Sequence, residues 1–247
     1  MREDLKKNIE SVGKENYVRT MFDSIAPHYD FLNLVMTGGL VRWWHRAFAR
    51  STRLRAGGTA LDVACGTGDL TAVCARQVGP RGRVVGLDLS PEMLSLARRK
   101  LSARGLEGWS ELIVGNALEL PFADASFDCA SIGFALRNVV DIERTVREMA
   151  RVVRPGGRVV ALEISKPQNR MIRWPYFVYF YHVVPLLDRA YGWVGGKVRP
   201  YTYLPHSLTN FPNQERLADT FRSVGLTDVA YQGLTGGVVT LHVGVKP

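Results

Sequence analysis

LDVACGTGDL, residues 61–70, runs from an apolar strand pattern into a glycine turn and on into a helix. The strand is read as Thr59–Ala64 and the helix as Leu70–Gln77. Gly66 and Gly68 permit positive φ and a close approach of the backbone to a ligand. A third glycine would complete the dinucleotide fingerprint, but Thr71 stands in its place. Taken alone, the segment also suits a tight strand–helix turn that binds nothing.

Two later strand ends add weight. Asp88 closes the next apolar run, Arg83–Leu87, twenty residues after Gly68. In a doubly wound sheet a carboxylate there meets ribose hydroxyls, because an ionised acid is an acceptor only. NAD enzymes use the same acid, so Asp88 points to a nucleoside without saying which. Asn116 and Ala117 follow the third run, Leu112–Val114, and offer an amide and a backbone N–H to an adenine edge. Gly66, Thr67, Gly68, Asp88, Asn116 and Ala117 are therefore the candidate cofactor contacts.

The remaining pattern alternates. Ser90-Pro91-Glu92 opens a helix, with Ser90 as N-cap and Pro91 in the first turn. Phe127–Gly133 reads as a fourth strand, Ile142–Val153 as a helix, and Arg158–Ile164 as a fifth strand entered through Pro155-Gly156-Gly157. Gln214–Val224 is an amphipathic helix. Asp228–Tyr231 and Val238–Val245 read as a hairpin joined by glycines. Alternating strands and helices imply parallel βαβ units with ligands at the strands' carboxyl ends. A seven-stranded, mostly parallel sheet closed by a C-terminal antiparallel hairpin is the Rossmann-like α/β fold of class I S-adenosylmethionine-dependent methyltransferases.

The whole of 1–247 is read as one domain, carrying an N-terminal helical cap over about 1–55 and a helical, aromatic-rich insert over about 165–212. With 46% hydrophobic and 22% charged residues, the composition is that of an ordinary globular protein. Cys65, Cys74 and Cys129 have neither disulfide nor zinc spacing and read as core residues of a reducing compartment. No metal site is expected. The N-terminus lacks an apolar signal core. The apolar stretch Trp174–Leu187 is interrupted by Pro175, His182 and Pro185 and falls short of the ~20 residues a spanning helix needs. The expected location is cytoplasmic.

The net charge of +9 admits nucleic acid or an anionic membrane surface as partner. Arg42, Arg46, Arg50, Arg53 and Arg55 lie in a stretch free of acids, and the first three share a helix face. Any one of them suits an ordinary solvated surface; together with Trp174–Leu187 they suggest peripheral docking on anionic lipid.

Several stretches carry a more specific likeness: MFDSIAPHYDFLN (21–33), GLDLSPEML (86–94), LPFADASFD (120–128), FALRNVVD (134–141), EMARVVRPGGRVVALEISKP (148–167), YTYLPHS (201–207) and LTGGVVTLHVGVKP (234–247). With LDVACGTGDL they resemble the ubiquinone/menaquinone biosynthesis C-methyltransferases along nearly the whole chain. Thr67, Asp88, Asn116 and Ala117 match that family's cofactor positions. There are departures: Leu32 replaces a common methionine, Thr37 a serine and Val41 a usual histidine, and Gly133 stands where some members have serine.

The resemblance implies transfer of a methyl group from S-adenosylmethionine to a ring carbon of a prenylated quinol. Demethylmenaquinol would become menaquinol, with a ubiquinone precursor as the alternative or additional substrate. Such a carbon attacks well only when an adjacent hydroxyl gives up its proton, so the protein must orient the ring and accept a proton or stabilise a phenolate. Arg137 is expected to hold the developing phenolate and Asn138 to orient the ring or a water. Tyr29 is a candidate contact for the substrate hydroxyl, and Asp30 a candidate base or a helix cap. His28 and His242 are further candidate bases, although a lone histidine is more often structural.

Two rivals stand beside this reading. A nucleic-acid methyltransferase usually carries Asn/Asp-Pro-Pro-aromatic after strand four, where this chain has Gly133-Phe134-Ala135-Leu136, so nucleic acid is not the expected partner. A non-catalytic quinone-pathway subunit is disfavoured by the intact Leu136-Arg137-Asn138 and glycine elements. A homo-oligomer is left open.

Overall fold

A computed structural model describes residues 13–179, 182, 203, 207–209 and 211–247. Three helices come first: α1 (Lys14–Ile25), α2 (Tyr29–Thr37) and α3 (Val41–Thr52). Pro27 lies in the 3₁₀ turn between α1 and α2, and a glycine turn at Gly38-Gly39 separates α2 from α3. The alternating body follows: β1 (Thr59–Val63), α4 (Asp69–Val78), β2 (Arg83–Asp88), α5 (Pro91–Ala103), β3 (Ser110–Val114), β4 (Phe127–Gly133), α6 (Ile142–Val152) and β5 (Val153–Ile164). Then come α7 (Arg170–Val178), α8 (Gln214–Ser223), β6 (Thr227–Leu234) and β7 (Val239–Val245).

The sheet has seven strands in the order β3-β2-β1-β4-β5-β7-β6. β1 to β5 pair in parallel, whereas β7 runs antiparallel to both β5 and β6. The order reverses beside β1, which places a topological switch point between β1 and β4, the usual crevice for a ligand in such sheets.

Both faces are covered, so the central strands are apolar on both sides. Leu61, Val63, Ala130, Ile132, Val159 and Ala161 face the helices α6 and α8, joining Met149, Leu217 and Phe221. Alternate residues (Ala60, Cys129, Val160 and Leu162) face the other way, onto Trp44 and Phe48 of α3 and Cys74 and Ala75 of α4. All three cysteines are buried and free.

The expected elements form, with three differences in extent, the smallest at β3, which begins at Ser110 rather than Leu112. β5 begins at Val153 rather than after Gly157, because the chain stays in the sheet through Pro155-Gly156-Gly157 and absorbs them where the register slips between Phe127–Val153 and Cys129–Arg158. Gly157 has no room for a side chain: a Cβ would lie 2.6 Å from the Asp128 carbonyl oxygen. The hairpin's first strand extends to Leu234, beyond the expected Tyr231. Ser90 caps α5 by accepting from the Met93 N–H at 3.0 Å, and Pro91 occupies the first turn. Of the expected insert, α7 lies within the description, with Pro175 inside it. Residues 180–181, 183–202, 204–206 and 210 lie outside the described residues, and with them most of Trp174–Leu187 beyond Tyr179.

Candidate active site

The carboxyl ends of β1, β2, β3 and β4 converge. After β1 the chain turns through Gly66 and Gly68, both at positive φ. A Cβ on Gly68 would lie 3.1 Å from that of Ala97, so the glycine lets the start of α4 pack closely on α5. The Asp88 carboxylate, at the end of β2, gathers the turn: Oδ2 accepts from the Gly66 N–H at 2.8 Å and Oδ1 from the Ser90 N–H at 2.9 Å. Each oxygen keeps a lone pair for a further donor. Burial raises the pKa of Asp88.

The N-terminal helices are tied to these same four loops. The Lys14 ammonium donates to the Val139 carbonyl after β4 at 2.5 Å. Asn116, after β3, donates through Nδ2 to Glu15 at 3.1 Å. Ser90, after β2, donates to Asp23. Thr67, after β1, donates to Asp30 at 2.7 Å. Lys100 of α5 closes the last junction, reaching Asp30 at 2.7 Å, Asp69 at 3.0 Å and the Thr67 hydroxyl at 2.8 Å.

Under this cap lie two cavities of ≈ 970 and ≈ 120 Å³. Asp88, Asn116 and Ala117 line the smaller, and Asp30, Asp62, Thr67 and Arg137 the larger. Tyr29, Gly66, Gly133, Phe134 and Asn138 belong to both walls, so the two spaces meet there. The fourth strand's end is bare because Gly133 has no Cβ; one would lie 2.2 Å from Leu70 Cδ1, and the leucine fills the place of a larger residue.

Arg137 is a buried ion-pair partner. Its Nη1 donates to Glu163 Oε2 at 2.8 Å and also to the Phe134 carbonyl. The side chains are 8% and 1% exposed. Breaking a buried pair by removing one member costs about 3–5 kcal/mol. Nη1 has two hydrogens and both are spent, which leaves Nε and Nη2 uncommitted among the described residues; Nε is buried. Asn138 Oδ1 is likewise buried and unpartnered. The unused donor and the unused acceptor thus belong to consecutive residues that both line the larger cavity.

The other expected residues divide. Tyr29 sits at the junction, and its phenol is raised by burial, against the lowering effects of Asn33 and Arg137. Asp30 lines the larger cavity, but Thr67 and Lys100 occupy its carboxylate, so it serves here as a latch. Gly68 lines neither cavity. The Asn116 amide is engaged at both ends, since Oδ1 accepts from the Leu118 N–H at 2.9 Å and Nδ2 donates to Glu15. His28 is exposed and lines neither cavity. His242 is buried in β7 with Nε2 2.9 Å from the Gln214 carbonyl oxygen, and desolvation pulls it down to about 4. Neither histidine has access to a bound ring. Among the described residues no group of side chains could hold a metal ion.

Three residues escaped the sequence reading: Asp62, Glu163 and Lys100. Asp62 stood inside the quoted glycine segment and passed as strand. Its carboxylate is buried against the larger cavity, accepting from Thr71 at 2.7 Å and Ser131 at 3.3 Å, and desolvation pushes it up to about 7. Glu163 opened the EISKP stretch. For Lys100 nothing in the local sequence distinguishes it from the other lysines and arginines.

Comparison with known proteins settles the lineage. The model of the ubiE/COQ5 methyltransferase family matches residues 10–246. The chain belongs to that family. It is 48% identical over 235 residues to a demethylmenaquinone methyltransferase of Symbiobacterium thermophilum, covering 94% of each chain. It is 43% identical to the ubiquinone/menaquinone biosynthesis C-methyltransferase UbiE of Hahella chejuensis, over 97% of this chain and 95% of that one. Among solved structures, a SAM dependent methyltransferase from Aquifex aeolicus shares the fold with a TM-score of 0.59 at 16% identity, over 82% of this chain and 89% of that one. The fold is therefore that of S-adenosylmethionine-dependent methyltransferases, as the hairpin-closed sheet implied.

Asp62 supplies a test of the site's electrostatics. Its pKa is raised in the folded state, so its contribution to stability is present at low pH and lost as pH rises from the ordinary carboxylate range through about 7. Asp62→Asn, which mimics the protonated acid, should melt above the parent at pH 8. The gap should open between about pH 4 and 7 and stay constant above; a difference in melting temperature that ignores pH would contradict this.

Proposed function

We propose that this protein is an S-adenosylmethionine-dependent C-methyltransferase that converts demethylmenaquinol to menaquinol. The observation that carries the proposal is the uncommitted donor of Arg137 next to the uncommitted acceptor of Asn138, consecutive residues that both line the larger cavity, Asn138 where it meets the smaller. Family membership and the names of the similar proteins support the substrate class.

The residues present suit the cofactor. Two carboxylates, the buried Asp62 and the half-buried Asp88, line contiguous spaces with no ion pair to a cation among the described residues, and desolvation raises both. Asp88 has a free lone pair on each oxygen for the two ribose hydroxyls, and Asp62 is placed to compensate a cationic end. Gly66 brings backbone against both, and Ala117 serves the base. When bound, S-adenosylmethionine supplies an electrophilic methyl group on a sulfonium, which needs no metal.

The protein's part concerns the ring. Asn138 Oδ1 accepts from the O–H of the neutral quinol and orients it; when that proton is lost to solvent, Arg137 donates to the resulting phenolate oxygen. The ring carbon then gains the methyl group and loses its C–H proton to solvent, and the oxygen takes a proton back, so one proton is released per turnover. Phe22 and Phe134 wall the junction and exclude water from it. Tyr29 borders the same space and contacts the hydroxyl's other side.

The assay is methyl transfer from labelled S-adenosylmethionine to demethylmenaquinol under reducing conditions, with RNA in a parallel arm. Menaquinol should form and RNA should stay unlabelled. Arg137→Ala should lower kcat by about 10²-fold while cofactor affinity holds. Undiminished turnover in that variant, or label in RNA alone, would defeat the reading.

We further infer that the larger cavity opens onto anionic lipid. Leu34, Leu40 and Met171 line it and are at the same time exposed, Met171 by 84%. Phe31, Trp43 and Trp174 are exposed near them in sequence, and Arg42, Arg46 and Arg50 are exposed along α3. No described helix is long and apolar enough to cross a membrane. Each cation near an anionic surface contributes about 1 kcal/mol. The protein should co-sediment with phosphatidylglycerol vesicles at low salt, and Arg42→Glu/Arg46→Glu/Arg50→Glu should abolish this; no sedimentation of the parent would refute it.

A further inference from the structure

The group that Arg137 leans on has no contact with either cavity. Glu163 is one residue from the end of β5, is 1% exposed, and lines neither space. Its backbone lies in the sheet opposite Thr240 of β7, so the carboxylate is anchored by two strands. Oε2 accepts from Arg137 Nη1 at 2.8 Å and from the Ile164 N–H at 3.1 Å, while Oε1 is buried without a partner. On the other side, the Phe134 carbonyl takes the second hydrogen of Nη1. Phe134 has φ 56 and its own N–H donates to the Leu162 carbonyl at 2.7 Å, which ties the turn after β4 to the same stretch of β5.

From this we infer that Glu163 is a positioning residue for the methyl transfer, acting through Arg137. The carboxylate and the Phe134 carbonyl consume both hydrogens of Nη1. The guanidinium plane is planar and rigid, so fixing one end fixes the directions of the remaining N–H groups. Those are the N–H groups available to a ring oxygen. Glu163 also cancels the charge of an arginine that is itself buried. The wall is then neutral toward the uncharged quinol, and it meets growing negative charge on the ring oxygen with oriented N–H dipoles already in place. An arginine without this partner would swing, and would attract any anion.

This inference deepens the proposed quinol methylation and rests on it, and its test separates the two. Three variants are compared: Arg137→Ala, Glu163→Ala and the double substitution, each with Glu163→Gln alongside. Turnover is measured with demethylmenaquinol, and 1-naphthol binding is measured by fluorescence in enzyme loaded with S-adenosylhomocysteine. Glu163→Ala should lower kcat by about 10²-fold, as Arg137→Ala does, with KM for S-adenosylmethionine unchanged. In the Arg137→Ala background the further loss should be less than twofold, because a residue that acts through another has nothing left to position. Glu163→Gln keeps an acceptor at the same place without the charge. It should recover at least tenfold over Glu163→Ala, and the acidic limb of its pH–kcat profile should move to lower pH.

Additive losses, or a Glu163→Ala enzyme with parental kcat, would overturn the inference. If Glu163→Ala does not fold, Glu163→Gln decides: a pH profile superimposable on the parent's counts against the role. If the parent transfers no methyl to demethylmenaquinol yet binds 1-naphthol, and the variants weaken that binding non-additively, the quinol reading fails and the Glu163 inference stands. A parent that does neither contradicts both.

Discussion

The carboxylate of Asp88 holds the site together. It accepts one N–H from the glycine turn after β1 and one from Ser90 at the start of α5, so the loops after β1 and β2 are fixed to a single side chain. The sheet alone would leave those loops near each other; the carboxylate sets their backbones to within a hydrogen bond. Burying the acid has a cost, visible in its raised pKa. The group therefore keeps unsatisfied acceptor capacity at the point where a nucleoside would offer hydroxyl donors. Structure and chemistry share one device.

The N-terminal cap depends on that arrangement and completes it. α1 buries only Met21 and Ile25. Its attachment rests largely on polar tethers from Lys14, Glu15 and Asp23, continued by Asp30 of α2, one to each of the four strand-end loops. Polar bonds of this kind are individually modest in net stability but specific in direction. They determine where the apolar side chains Phe22 and Tyr29 come to rest, which is on the shared wall of the two cavities. The contrast with α6 and α8 is plain: Met149, Leu217 and Phe221 are buried in the main core.

Much of this was legible beforehand. Continuous apolar runs bounded by turn residues mark strands buried on both faces, and β1, β2 and β4 end within a residue of where the pattern places them. The glycine turn, the acid after β2 and the Ser90-Pro91 cap are local signals with local causes. Pro155-Gly156-Gly157 misled because a turn signature can also be a bulge that keeps the strand going. Lys14, Glu15 and Lys100 could not be foreseen: their partners are 125, 101 and 70 residues distant, for Val139, Asn116 and Asp30 respectively, and a charged residue carries no mark of its partner. Asp30 and Asn116 line the cavities, yet their side chains are committed to neighbours. Arg137 and Asn138 were found through a motif; that each keeps an unused polar atom is a property only coordinates reveal.

The proposed methyl transfer depends on a hydroxyl held between Arg137 and Asn138. The most direct measurement is a structure of the protein with S-adenosylhomocysteine and demethylmenaquinol bound. One ring hydroxyl should hydrogen-bond to both Arg137 and Asn138, with the ribose on Asp88. A ring whose hydroxyls turn away from both side chains, or a nucleoside lodged in the larger cavity, would contradict it.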